Sequence, residues 1–148
     1  MTMFNALATN ASALRINRLK LNLISENIAN AQTTRTASGG PYKAKRAIVA
    51  ETPAYISFKK ILDSNSDSLP YRNPTIKGIF LDNKPPIQKY DPSHPDANEN
   101  GFVAMPNINT IEEMGDLIST VRSYEANVTV IQATKEMIKK ALEIWLII

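Results

Sequence analysis

The hydrophobic positions fall into two long helical patterns with a stretch of a different kind between them. Across residues 4–29, apolar or small side chains recur at Phe4, Leu7, Ala11, Leu14, Leu21 and Ile28, with Arg18 and Ser25 interrupting the series. The steps alternate three and four, which is the spacing of a heptad-like seam. A second stripe runs through Ile16, Leu19 and Leu23. A helix with two apolar stripes has more than one neighbour, whereas one broad stripe is what an amphipathic helix covering a core shows.

Near the other end, Ile111, Met114, Ile118, Val121, Tyr124, Val128, Ile131, Ile138, Leu142 and Trp145 keep helical spacing. Thr110 is placed to cap this helix, and Glu113, three residues on, to close a capping box. Glu112, Glu113 and Asp116 come early and Lys135, Lys139 and Lys140 late, an order that suits the helix dipole. No proline interrupts residues 107–148. A helix of ~35 residues would be ~50 Å long, against a usual length of ~11–12 residues. Such a helix needs partners outside its own compact body, most simply in a bundle or coiled coil.

The middle contrasts with both ends. Residues 30–107 hold all nine prolines and most of the turn formers. ASGGPY (37–42) reads as a turn. KRAIVAE (45–51) and AYISFKKI (54–61), on either side of Pro53, are candidate strands, as are the shorter TIKGIFLD (75–82), PIQKY (86–90) and GFVAM (101–105). SNSDSLPYRNP (64–74) is a polar loop. The expected fold is mainly α with a β-rich insertion: long N- and C-terminal helices forming a coiled-coil-like core around a small irregular β region. The expected segments are residues 1–30, 31–108 and 109–148.

Composition narrows the class. The 148 residues suffice for one domain or a small body with long arms, and a hydrophobic content of 43% allows a core. No apolar run approaches the ~20 residues of a bilayer span, and the tail IWLII (144–148) is far shorter. The first ten residues carry no side-chain charge, so no secretory signal pattern is visible. The lack of cysteine excludes disulfides, thiolate metal sites and cysteine nucleophiles. The net charge of +3 is uneven: +6 over residues 1–49, −1 over 50–100 and −2 over 101–148. A basic arm can mean nucleic acid, but here the bases alternate with apolar residues at helical spacing, and ends of opposite sign fit partner helices equally well.

One stretch invites a chemical reading. YDPSHPDANENG (90–101) holds His94, the only histidine, between Asp91 and Asp96. Asp96-x-Asn98-x-Asn100-Gly101 matches the first half of a calcium loop. The twelfth position is Asn107, where a bidentate Glu is needed, and Pro92 and Pro95 exclude a preceding helix. Asp91 and His94 put an acid near a base, but without a positioned nucleophile. One histidine without cysteines is also a poor zinc set. Proline-flanked Asp, Asn and His readily satisfy backbone groups in a tight turn. Gly39 and Gly40 lack the third glycine and following helix of a dinucleotide motif. Lys43, Lys45 and Arg46 beside Tyr42 form a small basic patch, a weak nucleic-acid pattern that a solvated strand face explains better. Of three classes – enzyme, nucleic-acid binder and helical assembly subunit – only the last explains both terminal helices.

Four motifs in this order resemble the flagellar basal-body rod protein C family, subunits of the proximal rod. The first is SENIANAQTTRT (25–36), with Asn27, Asn30, Thr34 and Arg35, followed closely by Gly39, Gly40, Pro41 and Tyr42. The second is KYDPSHPDANENGFV (89–103), with Tyr90, Asp91, Pro92, His94, Pro95 and Asp96. MPNINTIEEM (105–114) and RSYEANVTVIQATKEM (122–137) complete the set. Residues 44–88 match weakly and take no role from the resemblance. The resemblance implies a structural subunit that assembles helically through its terminal helices and transmits torque, with no catalytic step, no metal and no cofactor. It implies export through the flagellar type III apparatus without cleavage, and a place in the periplasmic rod of the basal body. The implied partners are copies of the chain, other proximal and distal rod subunits and the adaptor at the base of the rod; no nucleic acid, small-molecule substrate or membrane insertion is implied. The helical stripes would form the assembly interface, and the 89–103 stretch would be a connecting segment of architecture. A different rod or hook subunit, or a nucleic-acid-binding module using the basic N-terminal half, are the alternative readings.

Overall fold

The computed structural model describes residues 3–52 and 73–147. The expected strand at 54–61 and nearly all of the polar loop at 64–74 lie outside the described residues. Two helices, α1 (Met3–Ala29) and α2 (Thr110–Ile147), enclose four strands: β1 (Lys45–Thr52), β2 (Asn73–Leu81), β3 (Ile87–Tyr90) and β4 (Phe102–Met105). β1 and β2 form one antiparallel ladder, β3 and β4 another. Asn73 and Pro74, expected in the loop, open β2 opposite Thr52 and Glu51. The register shifts between Ile48 and Val49, where their partners Gly78 and Ile76 leave Lys77 as the extra residue of a bulge. Two ladders of two strands cannot enclose a core, and α1 supplies the missing layer by packing on β1, β2 and α2.

α1 contributes Ile16 and Leu23 to the core, with Asn27 buried one turn beyond Leu23. The second, shorter stripe is therefore the inward one. On the longer stripe, Leu7, Leu14, Leu21 and Ile28 are half-buried and Ala11 is exposed. α2 turns a different set inward: Glu113, Leu117, Thr120, Asn127, Ile131, Thr134 and Ile138 are buried or half-buried. Their steps are threes and fours once the more exposed Tyr124 is counted. One position of this repeat is apolar or aromatic, and the other is Glu113, Thr120, Asn127, Thr134. The threonines tolerate the inward face because their hydroxyls donate to the carbonyl one turn back: Thr120 Oγ1 to Asp116 O at 2.7 Å and Thr134 Oγ1 to Val130 O at 2.8 Å. Asn27 lies against Glu113, and Lys20 lines a cleft with Ser119 and Thr120, so the helices run antiparallel. α2 has 38 residues and α1 has 27. At 1.5 Å per residue α2 is longer by about 16 Å.

Both ends of α2 differ from expectation. The cap is Asn109 rather than Thr110: Asn109 Oδ1 accepts from the Ile111 N–H at 3.1 Å, and Asn109 O accepts from Glu113 N at 3.0 Å. Glu113 does not close a capping box, because its carboxylate is held by side chains of α1 and β1. At the far end the helix continues to Ile147, and its last turn carries no basic residue. Lys139 and Lys140 instead pair with Glu143, too far from the terminus to feel much of the dipole.

Candidate functional site

The polar centre of the molecule is the carboxamide of Asn27, which is 1% exposed. An Asn side chain offers two donors and two acceptor sites, and all four are engaged. Nδ2 donates to Lys45 O at 3.0 Å and to Glu113 Oε2 at 3.2 Å. Oδ1 accepts from Lys45 N at 2.9 Å and from the Tyr42 hydroxyl at 3.1 Å. One side chain thus joins α1, the 33–44 connection, the first residue of β1 and the first turn of α2. Charges surround it: Arg46 Nη2 lies 3.2 Å from Glu113 Oε1, and Lys45 pairs with Glu26 while its ammonium sits 5.8 Å from the centre of the Tyr42 ring. Burial, then the nearby carboxylates of Glu26 and Glu113, push the Tyr42 phenol up to about 12. The phenol therefore keeps the proton that it donates to Asn27.

The other motif residues build the connections. Asn30 closes the C-terminus of α1, its Nδ2 donating to Glu26 O at 2.9 Å and its Oδ1 accepting from Thr33 Oγ1 at 3.2 Å. Gly39 and Gly40 have φ of 84° and 75°, which non-glycine residues rarely adopt. They turn the chain so that Tyr42 N reaches Thr33 O at 3.1 Å, with Pro41 leading into the buried ring. Thr34 Oγ1 donates to Asp96 Oδ2 at 2.8 Å, and the Arg35 guanidinium lies 4.0 Å from the same carboxylate. The first and second motifs are thereby tied across 62 residues of sequence.

The His94 loop is self-satisfied. His94 Nδ1 accepts from the Asp96 N–H at 3.1 Å, and the Ser93 hydroxyl donates to Asp91 Oδ1 at 2.7 Å. That hydroxyl bond holds the Asp91 carboxyl below the usual range. Asn98 Oδ1 accepts from the N–H groups of Asn100 and Phe102. Pro92 and Pro95 space these turns. The loop closes where Tyr90 and Phe102 meet edge-to-face at 5.3 Å on paired strand residues. Gly101 has φ of 77°, and a Cβ there would lie 2.9 Å from the Tyr90 ring. Among the described residues no group of three or more His, Cys, Asp or Glu could hold a metal ion.

The expected stripe residues do not meet at the Asn27 centre. Ile111, Met114, Ile118, Val121, Tyr124 and Leu142 are exposed on α2, with Ile111 80% and Ile118 57% accessible. Val128, Ile131 and Ile138 are half-buried. The side chains of Phe4 and Trp145 lie outside the described residues. The exposed stripe begins beside the acidic Glu112 and Asp116, and the sheet adds Ile48, Ile79, Phe80 and Leu81, all exposed. Sequence reasoning missed Glu113 and Lys45 as partners of Asn27, and Arg46 as the partner of Glu113. On the inward face of α2 it found Ile131 and Ile138 but missed Leu117 and the polar positions, whose one signal was a polar residue every seventh position from Glu113 to Thr134.

Three outcomes are expected for the Asn27 centre. Asn27→Ala leaves several buried polar groups without partners at ~1–3 kcal/mol each, so a loss of about 3 kcal/mol or more is expected in urea unfolding. Asn27→Asp should also destabilise, because it removes both donors and sets a charge against Glu113. Tyr42 ionises near 10 in an unfolded chain and about 12 in the fold. Its contribution is therefore complete below pH 10 and lost as the pH rises from 10 to 12. The free energy of unfolding measured across that window should fall more steeply for the native chain than for Tyr42→Phe.

Comparison with known proteins agrees with this architecture. Residues 99–144 match the family model "Flagellar basal body rod FlgEFG protein C-terminal". The chain is 40% identical to the flagellar basal-body rod protein FlgC of Bacillus subtilis, covering 97% of this chain and 99% of that one. It is 38% identical to the protein of the same name from Borreliella burgdorferi, covering 97% and 98%, and 29% identical to that of Salmonella typhimurium, covering 96% and 97%. With matches of this identity running nearly end to end, the chain belongs to the flagellar basal-body rod protein FlgC family.

Proposed function

We propose that the chain is a structural subunit of the bacterial flagellar basal-body rod, placed in its proximal part, and that it assembles through the outward faces of its terminal helices. The observation that carries this reading is the exposed apolar stripe of α2, from Ile111 to Val121. Monomers that function alone rarely expose a continuous apolar face, and a larger patch marks an interaction surface. In a helical tube each subunit uses heterologous contacts, so its helices face neighbours on several sides. That suits a helix pair with a seam turned inward and a second stripe turned out, working as a coiled-coil-like core.

Residues 1–30 and 109–148 are then the assembling segments, and residues 31–108 a spacer body braced on them by Asn27 and by the Thr34–Asp96 tie. Many modest contacts acting together would transmit torque along the rod. Partners are copies of the chain, neighbouring proximal and distal rod subunits and the adaptor at the rod base. Delivery is through the flagellar type III export apparatus to the periplasm, without cleavage. No catalytic step belongs to this role, and the His94 loop serves as a connector.

The test uses a charge on the outer stripe. Ile118 is exposed in the single chain, so Ile118→Asp should leave its fold intact. In an assembled contact the carboxylate would be desolvated without a partner, at a cost of several kcal/mol. Ile118→Asp should therefore be secreted but absent from purified basal bodies, while Lys139→Ala is recovered normally. Equal recovery of the two variants would contradict this use of the stripe.

A further inference from the structure

The seam between α1 and α2 repeats every seven residues, and the repeat leaves its own register ambiguous. Asn27 meets Glu113, and Lys20 lies beside Thr120. Continuing in the same antiparallel step, Leu23 falls opposite Leu117, Ile16 opposite Tyr124, and Ala13 opposite Asn127. From Asn27 to Ala13, the Leu and Ile of α1 thus share layers with large side chains, and Asn27, Lys20 and Ala13 with polar ones, while Thr9 beyond them falls opposite Ile131. A slide of α2 by one heptad, about 10 Å, preserves this rule. Leu23 would then meet Tyr124, Ile16 would meet Ile131, and Ala13 would meet Thr134. No layer is lost, because α2 has 38 residues to the 27 of α1. The opposite slide is closed, since it would set Asn27 against Pro106, ahead of the first residue of α2. The permitted slide would be taken up in the irregular link 106–109.

What the slide does break is the set of polar ties at the start of α2, together with the burial of Pro106 and the Asn107 Nδ2 bond to Pro85 O in the link ahead of it. Asn27 Nδ2 would lose Glu113 Oε2, and Arg46 would lose Glu113 Oε1. Glu113 is 4% exposed, so its charge depends on those donors. Asn27 cannot follow α2, because Lys45 and Tyr42 hold it to β1 and the preceding loop.

We infer that Glu113 is a positioning residue that selects one of two registers the α1–α2 seam allows, and so fixes the height of the outer α2 stripe relative to the rest of the molecule. A single polar residue specifying the register of an otherwise permissive helix pair is a known use of buried polarity. This inference concerns the isolated chain and stands whether or not the rod reading holds.

Engineered disulfides test it cleanly, because the chain has no cysteine. Ala13→Cys with Asn127→Cys reports the observed register; Ala13→Cys with Thr134→Cys reports the slid one. In the native background only the first pair should bridge on oxidation. With Glu113→Ala, the second pair should rise from background to the level of the first. Glu113→Gln, whose amide oxygen still accepts from Asn27, should restore the first pair alone. Moving the carboxylate one heptad along, as Glu113→Thr with Thr120→Glu, should transfer bridging to the second pair. The inference is overturned if the second pair bridges in the native background, or if the first pair remains alone in both Glu113→Ala and the double exchange. Should circular dichroism show Glu113→Ala to be unfolded, the double exchange decides. An exchange variant that is unfolded, or bridged only through the first pair, overturns the inference equally.

Discussion

A carboxamide inside a protein must have its donors and acceptors matched, or it costs more than an apolar residue would. Asn27 meets that demand by drawing four groups from three other parts of the chain. The hydrophobic core around it is thin: Ile16, Leu23, Tyr42, Ala44 and Val103 are its buried apolar members among the described residues. Two-stranded ladders and a half-polar helix seam do not fix their mutual placement by burial alone. The Asn27 cluster does so by geometry, since each bond is directional and each partner lies on a different element. The Arg46–Glu113 pair and the Glu26–Lys45 pair add charge to the same junction, so the start of α2, the end of α1 and the start of β1 move together.

Fixing the helices at one junction has a consequence for the rest of their surface. α1 covers one face of α2, and that face is half polar, with Thr120, Asn127 and Thr134 where a self-sufficient helix pair would carry Leu or Ile. The more apolar stripe, from Ile111 to Val121, faces away. Among the described residues, the stronger hydrophobic surface of α2 thus stays exposed. A protein built to be complete alone would distribute these residues the other way round. The arrangement suits a subunit whose final stability is shared with its neighbours.

Much of this was legible in the sequence. Both helices follow from long apolar periodicity without proline, and β1, β2, β3 and β4 follow from short apolar runs bounded by turn formers. The loop at 90–101 was readable as a run of turns from its prolines and its Asp, Asn and Ser residues, and in the structure those side chains do bond to the loop's own backbone and side chains. What stayed hidden was tertiary. Asn109 and Thr110 are both good caps and stand side by side; Asn109 takes the role because Glu113, the reciprocal member of a box with Thr110, is drawn instead to Asn27 and Arg46. Those residues lie 86 and 67 positions away, beyond any periodicity. Apolar spacing also mixed the outer stripe of α2 with Ile131 and Ile138 of the inner one and passed over the inner polar positions, because Glu, Thr and Asn in a seam do not register as hydrophobic. Asn27 belongs to a recognisable motif, but its role depends on Lys45, Tyr42 and Glu113 arriving together.

The central claim is that neighbouring positions on α2 face different partners: Leu117 its own α1, Ile118 another subunit. Thiol labelling measures this directly, through Leu117→Cys and Ile118→Cys in a chain otherwise free of cysteine. In the isolated protein the Ile118→Cys thiol should react rapidly with a maleimide and the Leu117→Cys thiol slowly. In purified basal bodies both should be protected. An Ile118→Cys thiol that reacts as fast in the assembled rod as in the free chain would contradict the account.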